Sequence, residues 1–124
     1  MTEKSIILYV EDNYDNLNLV KKIFLRRPTV NLISAPDARI GIDLARAHRP
    51  DLILMDINLP GMDGITAMKY LKTLEETKSI PVIAVSGNAL KSEINRALKE
   101  GFVKYITKPI KISEFLDTLD GYLK

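Results

Sequence analysis

Several features that would indicate other classes of protein are absent from this sequence of 124 residues. It contains no cysteine, which excludes disulfide bonds and thiolate metal sites. No apolar run approaches the roughly 18 residues that a membrane-spanning helix needs. Neither a P-loop nor a glycine-rich dinucleotide turn occurs, so nucleotide binding is poorly supported.

The charge balance and the N-terminus argue against further classes of protein. The 18 Lys and Arg residues against 16 Asp and Glu residues give a net charge of only +2, so nothing demands a polyanionic partner such as nucleic acid. The first five residues lack the layout of a secretory signal peptide. We therefore expect a single domain over residues 1–124, soluble and cytoplasmic, without membrane insertion and large enough to bury a hydrophobic core.

Four apolar runs in the chain stop abruptly at polar residues. The runs cover residues 6–10, 52–55, 82–85 and 105–107, and the residues that follow them are Glu11 with Asp12, Asp56, Ser86 and Lys108. Such runs are typical of strands buried on both faces of a parallel sheet. The carboxyl ends of these strands line one edge of the sheet, where ligands bind. We therefore expect three carboxylates, one hydroxyl and one ammonium group to converge there.

Stretches with helical spacing separate the apolar runs. Asn13 is a predicted cap of the first helix and Asp63 of the third. The fourth helix is predicted from an apolar stripe made by Leu90, Ile94, Ala97 and Leu98. With a further short strand over residues 30–35, strands and helices alternate five times. This order predicts an α/β fold, a doubly wound five-stranded parallel sheet with helices on both faces.

The converging residues have the chemistry of a magnesium site. Clustered carboxylates repel one another, and their burial raises the pKa of each unless a cation joins them. Hard oxygen ligands suit Mg²⁺, which commonly takes one or two carboxylates plus a phosphate. A metal-bound, accessible carboxylate such as that of Asp56 can attack a phosphoryl group. Lys108 and Ser86 then supply a charge and a hydroxyl donor for the phosphoryl oxygens.

Four segments together resemble the receiver domain of two-component response regulators, of the single-domain type found in chemotaxis regulators. They are residues 10–13 (Val-Glu-Asp-Asn), 55–64 (Met-Asp-Ile-Asn-Leu-Pro-Gly-Met-Asp-Gly), 86–89 (Ser-Gly-Asn-Ala) and 105–110 (Tyr-Ile-Thr-Lys-Pro-Ile). Each segment alone is weak evidence. Their occurrence in order, from about residue 5 to the end and without large insertions, is highly specific and implies the flavodoxin-like receiver fold.

The resemblance implies a role for each residue of the cluster. Asp56 would be the phospho-acceptor, and Lys108 would contact the incoming phosphoryl group. The ligands of Mg²⁺ would be Asp12, Glu11 through a water, Asp56 and the backbone carbonyl of Asn58. Ser86 would move to hydrogen-bond the phosphate, and Tyr105 would be the aromatic switch that turns inward in response. The family also implies a cis peptide bond between Lys108 and Pro109, which only an X-Pro bond adopts at modest cost.

The function that follows is a phosphorylation-operated switch rather than an enzyme with its own substrate. A histidine kinase or a histidine phosphotransfer protein would donate the phosphoryl group, and a downstream protein target would read the altered surface. Two alternatives remain: a Mg²⁺-dependent phosphatase with an aspartate nucleophile, and a receiver-like interaction scaffold that is never phosphorylated. Such phosphatases need a second aspartate two residues after the nucleophile, where this chain has Asn58. Taken alone, Glu11 and Asp12 could simply cap a helix.

Overall fold

The computed structural model describes residues 4–123 and contains alternating strands and helices. The strands are β1 (Ser5–Val10), β2 (Val30–Ala35), β3 (Leu52–Asp56), β4 (Val82–Ser86) and β5 (Lys104–Thr107). The helices are α1 (Tyr14–Phe24), α2 (Ala38–His48), α3 (Gly64–Leu71), α4 (Lys91–Glu100) and α5 (Ile112–Asp120). Among the described residues, no helix is both long and apolar enough to cross a membrane.

The five strands form one parallel sheet in the order β2-β1-β3-β4-β5. Side chains alternate between its two faces, so Leu8 and Val10 pack into one core while Ile7 and Tyr9 pack into the other. Helices α2, α3 and α4 cover the first face, and α1 and α5 cover the second. The predicted doubly wound α/β fold is confirmed. The chain reverses its winding direction between β1 and β3, which places a crevice at the carboxyl ends of these two strands.

The predicted helix boundaries rest on side-chain caps. Asn13 accepts a hydrogen bond from the N–H of Asn16 at the start of α1, and Asp63 accepts one from Thr66 at the start of α3. Each cap satisfies a backbone donor that has no partner within its helix. Both helices therefore begin directly after the loops that carry acidic residues toward the carboxyl edge of the sheet.

Helix α4 differs from the prediction made for it. Its stripe was predicted from four apolar residues, but only Ala97 is fully buried, while Leu90 is 64% and Leu98 41% exposed. Leu90 lies before the first turn, as the N-cap, and its side chain therefore does not share the inward face of the helix. The result is a helix with an uncovered apolar surface.

Candidate functional site

Strand register brings the polar residues at the strand ends together. Val10 lies beside Met55, and Asp56 lies beside Val85, so the first residue after β1 and the last residue of β3 occupy one level of the sheet. Ser86 pairs in register with Thr107 one strand further along, directly before Lys108. Four neighbouring strands therefore deliver acidic, hydroxyl and basic side chains to the same edge.

The Lys108 ammonium lies between two carboxylates. Its Nζ is 2.9 Å from Oε1 of Glu11 and 3.1 Å from Oδ2 of Asp56. The side chain of Glu11 is fully buried and that of Asp56 is 5% exposed, while Lys108 is 19% exposed. Charges removed from water to this extent need close partners, and each of these groups has one. The peptide bond between Lys108 and Pro109 is cis, as predicted.

Asp12 completes a cluster of three acidic residues with Glu11 and Asp56. One carboxylate oxygen from each lies within 4.8 Å of the others. Asp12 is exposed, so the cluster opens to solvent on its side. Three hard oxygen donors around a point that solvent can reach fit Mg²⁺, which binds through few carboxylates and retains water. The role of the Asn58 backbone carbonyl as a metal ligand stays a prediction.

The Asp56 carboxylate is held at both of its oxygens. The N–H of Asn58 donates to Oδ1 at 3.0 Å, and Lys108 donates to Oδ2 at 3.1 Å. This orientation comes partly from the loop after β3, where the N–H of Gly64 also donates to the carbonyl of Ile57 at 2.9 Å. The carboxylate is therefore positioned before any ligand arrives.

Tyr9 is a member of the site that the sequence analysis missed. Its hydroxyl donates to Oε1 of Glu11 at 2.7 Å, inside the core. The other oxygen of Glu11 accepts a hydrogen bond from the N–H of Asn13 at 3.2 Å. A signal was available, because a tyrosine two residues before an acid on a strand shares its face and carries a donor into an apolar run.

The two buried carboxyls differ in pKa because they differ in donors. Burial, and after it the adjacent Glu11, raise the pKa of Asp56 to about 6, although the Asn58 N–H and Lys108 oppose the rise. Burial also acts to raise the pKa of Glu11, but hydrogen bonds, first the one with Asp56 and then those from Lys108, Tyr9 and Asn13, outweigh burial and lower it. Glu11 is thus the more acidic carboxyl of the pair.

The two side chains that donate to Glu11, Lys108 and Tyr9, keep their protons at neutral pH. Burial disfavours the ammonium form of Lys108, but Glu11 and Asp56 outweigh it and raise the pKa of Lys108. Burial, reinforced by Glu11, raises the pKa of Tyr9 above its ordinary range. At neutral pH the site therefore contains a cationic Lys108 and a neutral tyrosine donor.

The raised pKa of Asp56 predicts a pH dependence of stability in the absence of divalent cations. The folded chain holds this proton up to a pKa of about 6, against a reference value of 3.8, so the free energy of unfolding falls as pH rises through that window. Asp56→Asn removes this loss. We expect it to be more stable than the wild type by on the order of 2–3 kcal/mol at about pH 7, with the difference vanishing near pH 4.

Urea unfolding of both proteins in the presence of a chelator, across this pH range, measures the difference. If the wild type is as stable as Asp56→Asn above the raised pKa, ionisation of Asp56 does not lower the free energy of unfolding.

Ser86 and Tyr105 are linked through one loop. Ser86 is buried, and its Oγ accepts hydrogen bonds from the N–H of Asn88 at 3.1 Å and from Nδ2 of Asn58 at 3.5 Å. Tyr105 donates its hydroxyl to the carbonyl of Asn88 at 2.7 Å. Both residues therefore hold the same segment between β4 and α4, and a movement of Ser86 would change the partners of Asn88.

The placement predicted from the sequence is confirmed, since all the residues of the predicted cluster lie at one edge. The roles assigned to them are a separate matter and remain predictions.

The chain matches a family model described as the response regulator receiver domain over residues 7–120. It is 40% identical over 117 residues to the polar-differentiation response regulator DivK of Brucella anthropi, a match that covers 94% of each chain. The family match includes every residue of the site.

The solved structures that are similar to this one include two that bear on the fold and the site. The receiver domain of the sensor histidine kinase PA1611 from Pseudomonas aeruginosa PAO1, which has a magnesium ion coordinated in its active site cleft, superposes with a TM-score of 0.86 at 30% identity, covering 96% of this chain and 97% of that one. The chemotaxis protein CheY4 of Vibrio cholerae gives a TM-score of 0.87 at 22% identity, covering 97% and 99% of the two chains. The second likeness concerns the fold alone.

Proposed function

The chain belongs to the family of response regulator receiver domains, and from this premise we propose that it is a switch operated by phosphorylation of Asp56. The observation that carries the proposal is the position of the Lys108 ammonium between Glu11 and Asp56, beside the Asp12 carboxylate. The proposed acceptor, a cation and the proposed metal ligands therefore lie together at one edge of the sheet. The domain is proposed to span residues 1–124 and to act in the cytoplasm.

The proposed reaction transfers a phosphoryl group from a phosphohistidine to the Asp56 carboxylate. A carboxylate oxygen attacks phosphorus, the new O–P bond forms as the P–N bond breaks, and the histidine side chain leaves. Mg²⁺, held by Asp12, Glu11 and Asp56 with the Asn58 carbonyl, would neutralise charge on the phosphoryl oxygens. The Asn58 N–H and Lys108 orient the acceptor, and Lys108 can then follow the new negative charge.

Phosphorylation would act on the segment that Ser86 and Tyr105 hold. An aspartyl phosphate adds negative charge and acceptor oxygens at Asp56, which favours donation from the Ser86 hydroxyl. If Ser86 moves, the Asn88 N–H loses its acceptor and the carbonyl that holds Tyr105 shifts. Tyr105, which is half-buried, can then leave its position at the Asn88 carbonyl, and this movement would bias a two-state arrangement of α4 and β5.

The surface beside this segment suits a protein partner. Leu90, Leu98 and Val103 are 64%, 41% and 39% exposed, so the region around α4 presents apolar groups to solvent. We propose that a downstream protein target reads this surface. A histidine kinase or a histidine phosphotransfer protein would supply the phosphoryl group, and neither nucleic acid nor membrane would be contacted directly.

Neither alternative function has an observation in its favour. A phosphatase of the aspartate-nucleophile type needs a second acid at the position of Asn58, and the amide there instead lies 3.5 Å from Ser86 Oγ. An unphosphorylated scaffold has no need to bury two carboxylates around an ammonium, since such an arrangement costs desolvation.

Incubation with a small phosphodonor, with and without Mg²⁺, tests the proposal by intact-mass measurement. We expect the mass of one phosphoryl group to be gained only when Mg²⁺ is present. No gain under any condition would contradict the switch. Continuous release of phosphate over many turnovers would instead favour the phosphatase.

The proposed switch predicts a change at Tyr105 that can be observed directly. With Mg²⁺ and beryllium fluoride, a phosphoryl analogue, the ring should become buried as its hydrogen bond to the Asn88 carbonyl breaks. Ring signals from labelled tyrosine, followed by NMR, report this change. We expect Ser86→Ala to bind the analogue without moving Tyr105, and an equal movement in this variant would show that Ser86 does not transmit the signal.

A further inference from the structure

The Tyr9 hydroxyl occupies an unusual place for a polar group. It lies in the core between the sheet and helices α1 and α5, and the whole residue is 0% exposed. An alcohol in such a setting needs a partner, and the Glu11 carboxylate is that partner at 2.7 Å. An O–H donor to an ionised oxygen at this distance is a strong, charge-assisted hydrogen bond.

Glu11 depends on protein donors because its side chain has no exposure to solvent. Oε1 accepts hydrogen bonds from Tyr9 and Lys108, and Oε2 accepts one from the Asn13 N–H. Of the two donors to Oε1, Lys108 is shared with Asp56, whereas the hydroxyl of Tyr9 comes from inside the core. Tyr9 therefore donates to Glu11 alone, whereas Lys108 is shared between two carboxylates.

We propose that Tyr9 is a positioning residue, which holds the Glu11 carboxylate toward the divalent cation and frees Lys108 for the phosphoryl group. This inference rests on the proposed function of the site. Without the hydroxyl, Oε1 of Glu11 has Lys108 as its remaining side-chain donor, and the pair tightens. Lys108 then competes with the cation for Glu11 and Asp56, so Mg²⁺ binds more weakly and the ammonium is less available.

Tyr9→Phe tests the inference because it keeps the ring in the core and deletes the hydroxyl alone. We expect the Mg²⁺ dissociation constant, measured by calorimetric titration of the intact chain, to rise about tenfold, as is typical when a residue supporting a metal ligand is removed. Tyr70→Phe is the matched control, since Tyr70 is 46% exposed on α3, and it should bind Mg²⁺ like the wild type.

A second background shows whether Tyr9 acts through Glu11. Glu11→Asp keeps the carboxylate but is one methylene shorter, so it should no longer reach the hydroxyl. Adding Tyr9→Phe to Glu11→Asp should then leave Mg²⁺ affinity unchanged within twofold. An equal loss of affinity in both backgrounds, or no loss in the wild-type background, would overturn the inference. A wild type that binds no Mg²⁺ would instead contradict the proposed metal site itself.

If Tyr9→Phe does not fold, NMR of the wild type tests whether Tyr9 donates to the carboxylate that binds Mg²⁺. The buried hydroxyl proton of Tyr9 should exchange slowly and give an NMR signal of its own. We expect this signal to shift as Mg²⁺ is added, because the cation binds the carboxylate that accepts the Tyr9 hydrogen bond. A signal that does not move at saturating Mg²⁺ would overturn the inference.

Discussion

Replacing Asp56 by asparagine is expected to abolish phosphoryl uptake from a small phosphodonor in the presence of Mg²⁺. The amide keeps the shape of the side chain and can still accept the Asn58 N–H, but it has no nucleophilic carboxylate oxygen. It also removes one charge from the three-carboxylate cluster. Intact-mass measurement over a time course should show the wild type gaining one phosphoryl group while Asp56→Asn gains none.

Asp63→Asn is the matched control for this experiment. Asp63 also follows β3, yet its carboxylate caps α3 by accepting the Thr66 N–H, a task that asparagine performs equally well. This variant should be phosphorylated at the wild-type rate. Undiminished uptake by Asp56→Asn, or a matching loss in Asp63→Asn, would remove the basis for Asp56 as the acceptor.

The second large effect is expected from Gly64→Ala. A β-carbon at Gly64 would collide with the backbone carbonyl oxygen of Asp56 and would lie 2.8 Å from Cα of Ile57. Backbone atoms cannot rotate aside as a side chain can, so either α3 or the end of β3 must move. We expect a loss of about 3 kcal/mol or more in the free energy of unfolding, measured by urea denaturation.

Gly87→Ala gives the comparison, because a β-carbon at Gly87 meets nothing within 4 Å. This substitution should change the free energy of unfolding by less than about 1 kcal/mol, with a gain from the reduced freedom of the unfolded chain. Since the end of β3 carries Asp56, Gly64→Ala should also slow phosphorylation of whatever fraction remains folded. A loss at Gly64 no larger than the change at Gly87 would show that the close approach is not needed.

The fold and the location of the site could be predicted because both follow from local pattern. Apolar runs such as residues 52–55 can only be satisfied when both faces of a strand are covered, and that requirement places Asp56 at the carboxyl edge. Parallel pairing then brings Glu11 and Lys108 to the same level without further information.

Other features depend on which side chains meet across the fold and could not be predicted in this way. The exposure of Leu98 depends on how much of α4 is covered by neighbouring elements. Helical spacing in the sequence does not reveal this. The need for glycine at position 64 arises from the distance between α3 and the end of β3. Tyr9 lies within an apolar run, so its sequence context indicates a core residue and not a hydrogen-bond donor. Its spacing from Glu11 can nevertheless be read from the sequence.

Chemical trapping of the acceptor tests the central claim most directly. Borohydride reduces an aspartyl phosphate to homoserine, so the wild type can be treated with phosphodonor and Mg²⁺, reduced, digested and mapped by mass spectrometry. We predict homoserine at position 56, dependent on both phosphodonor and Mg²⁺, in a pocket whose Lys108 and Asp12 are required for full yield. Homoserine at a different aspartate, or none while the intact protein carries a phosphoryl group, would contradict the account.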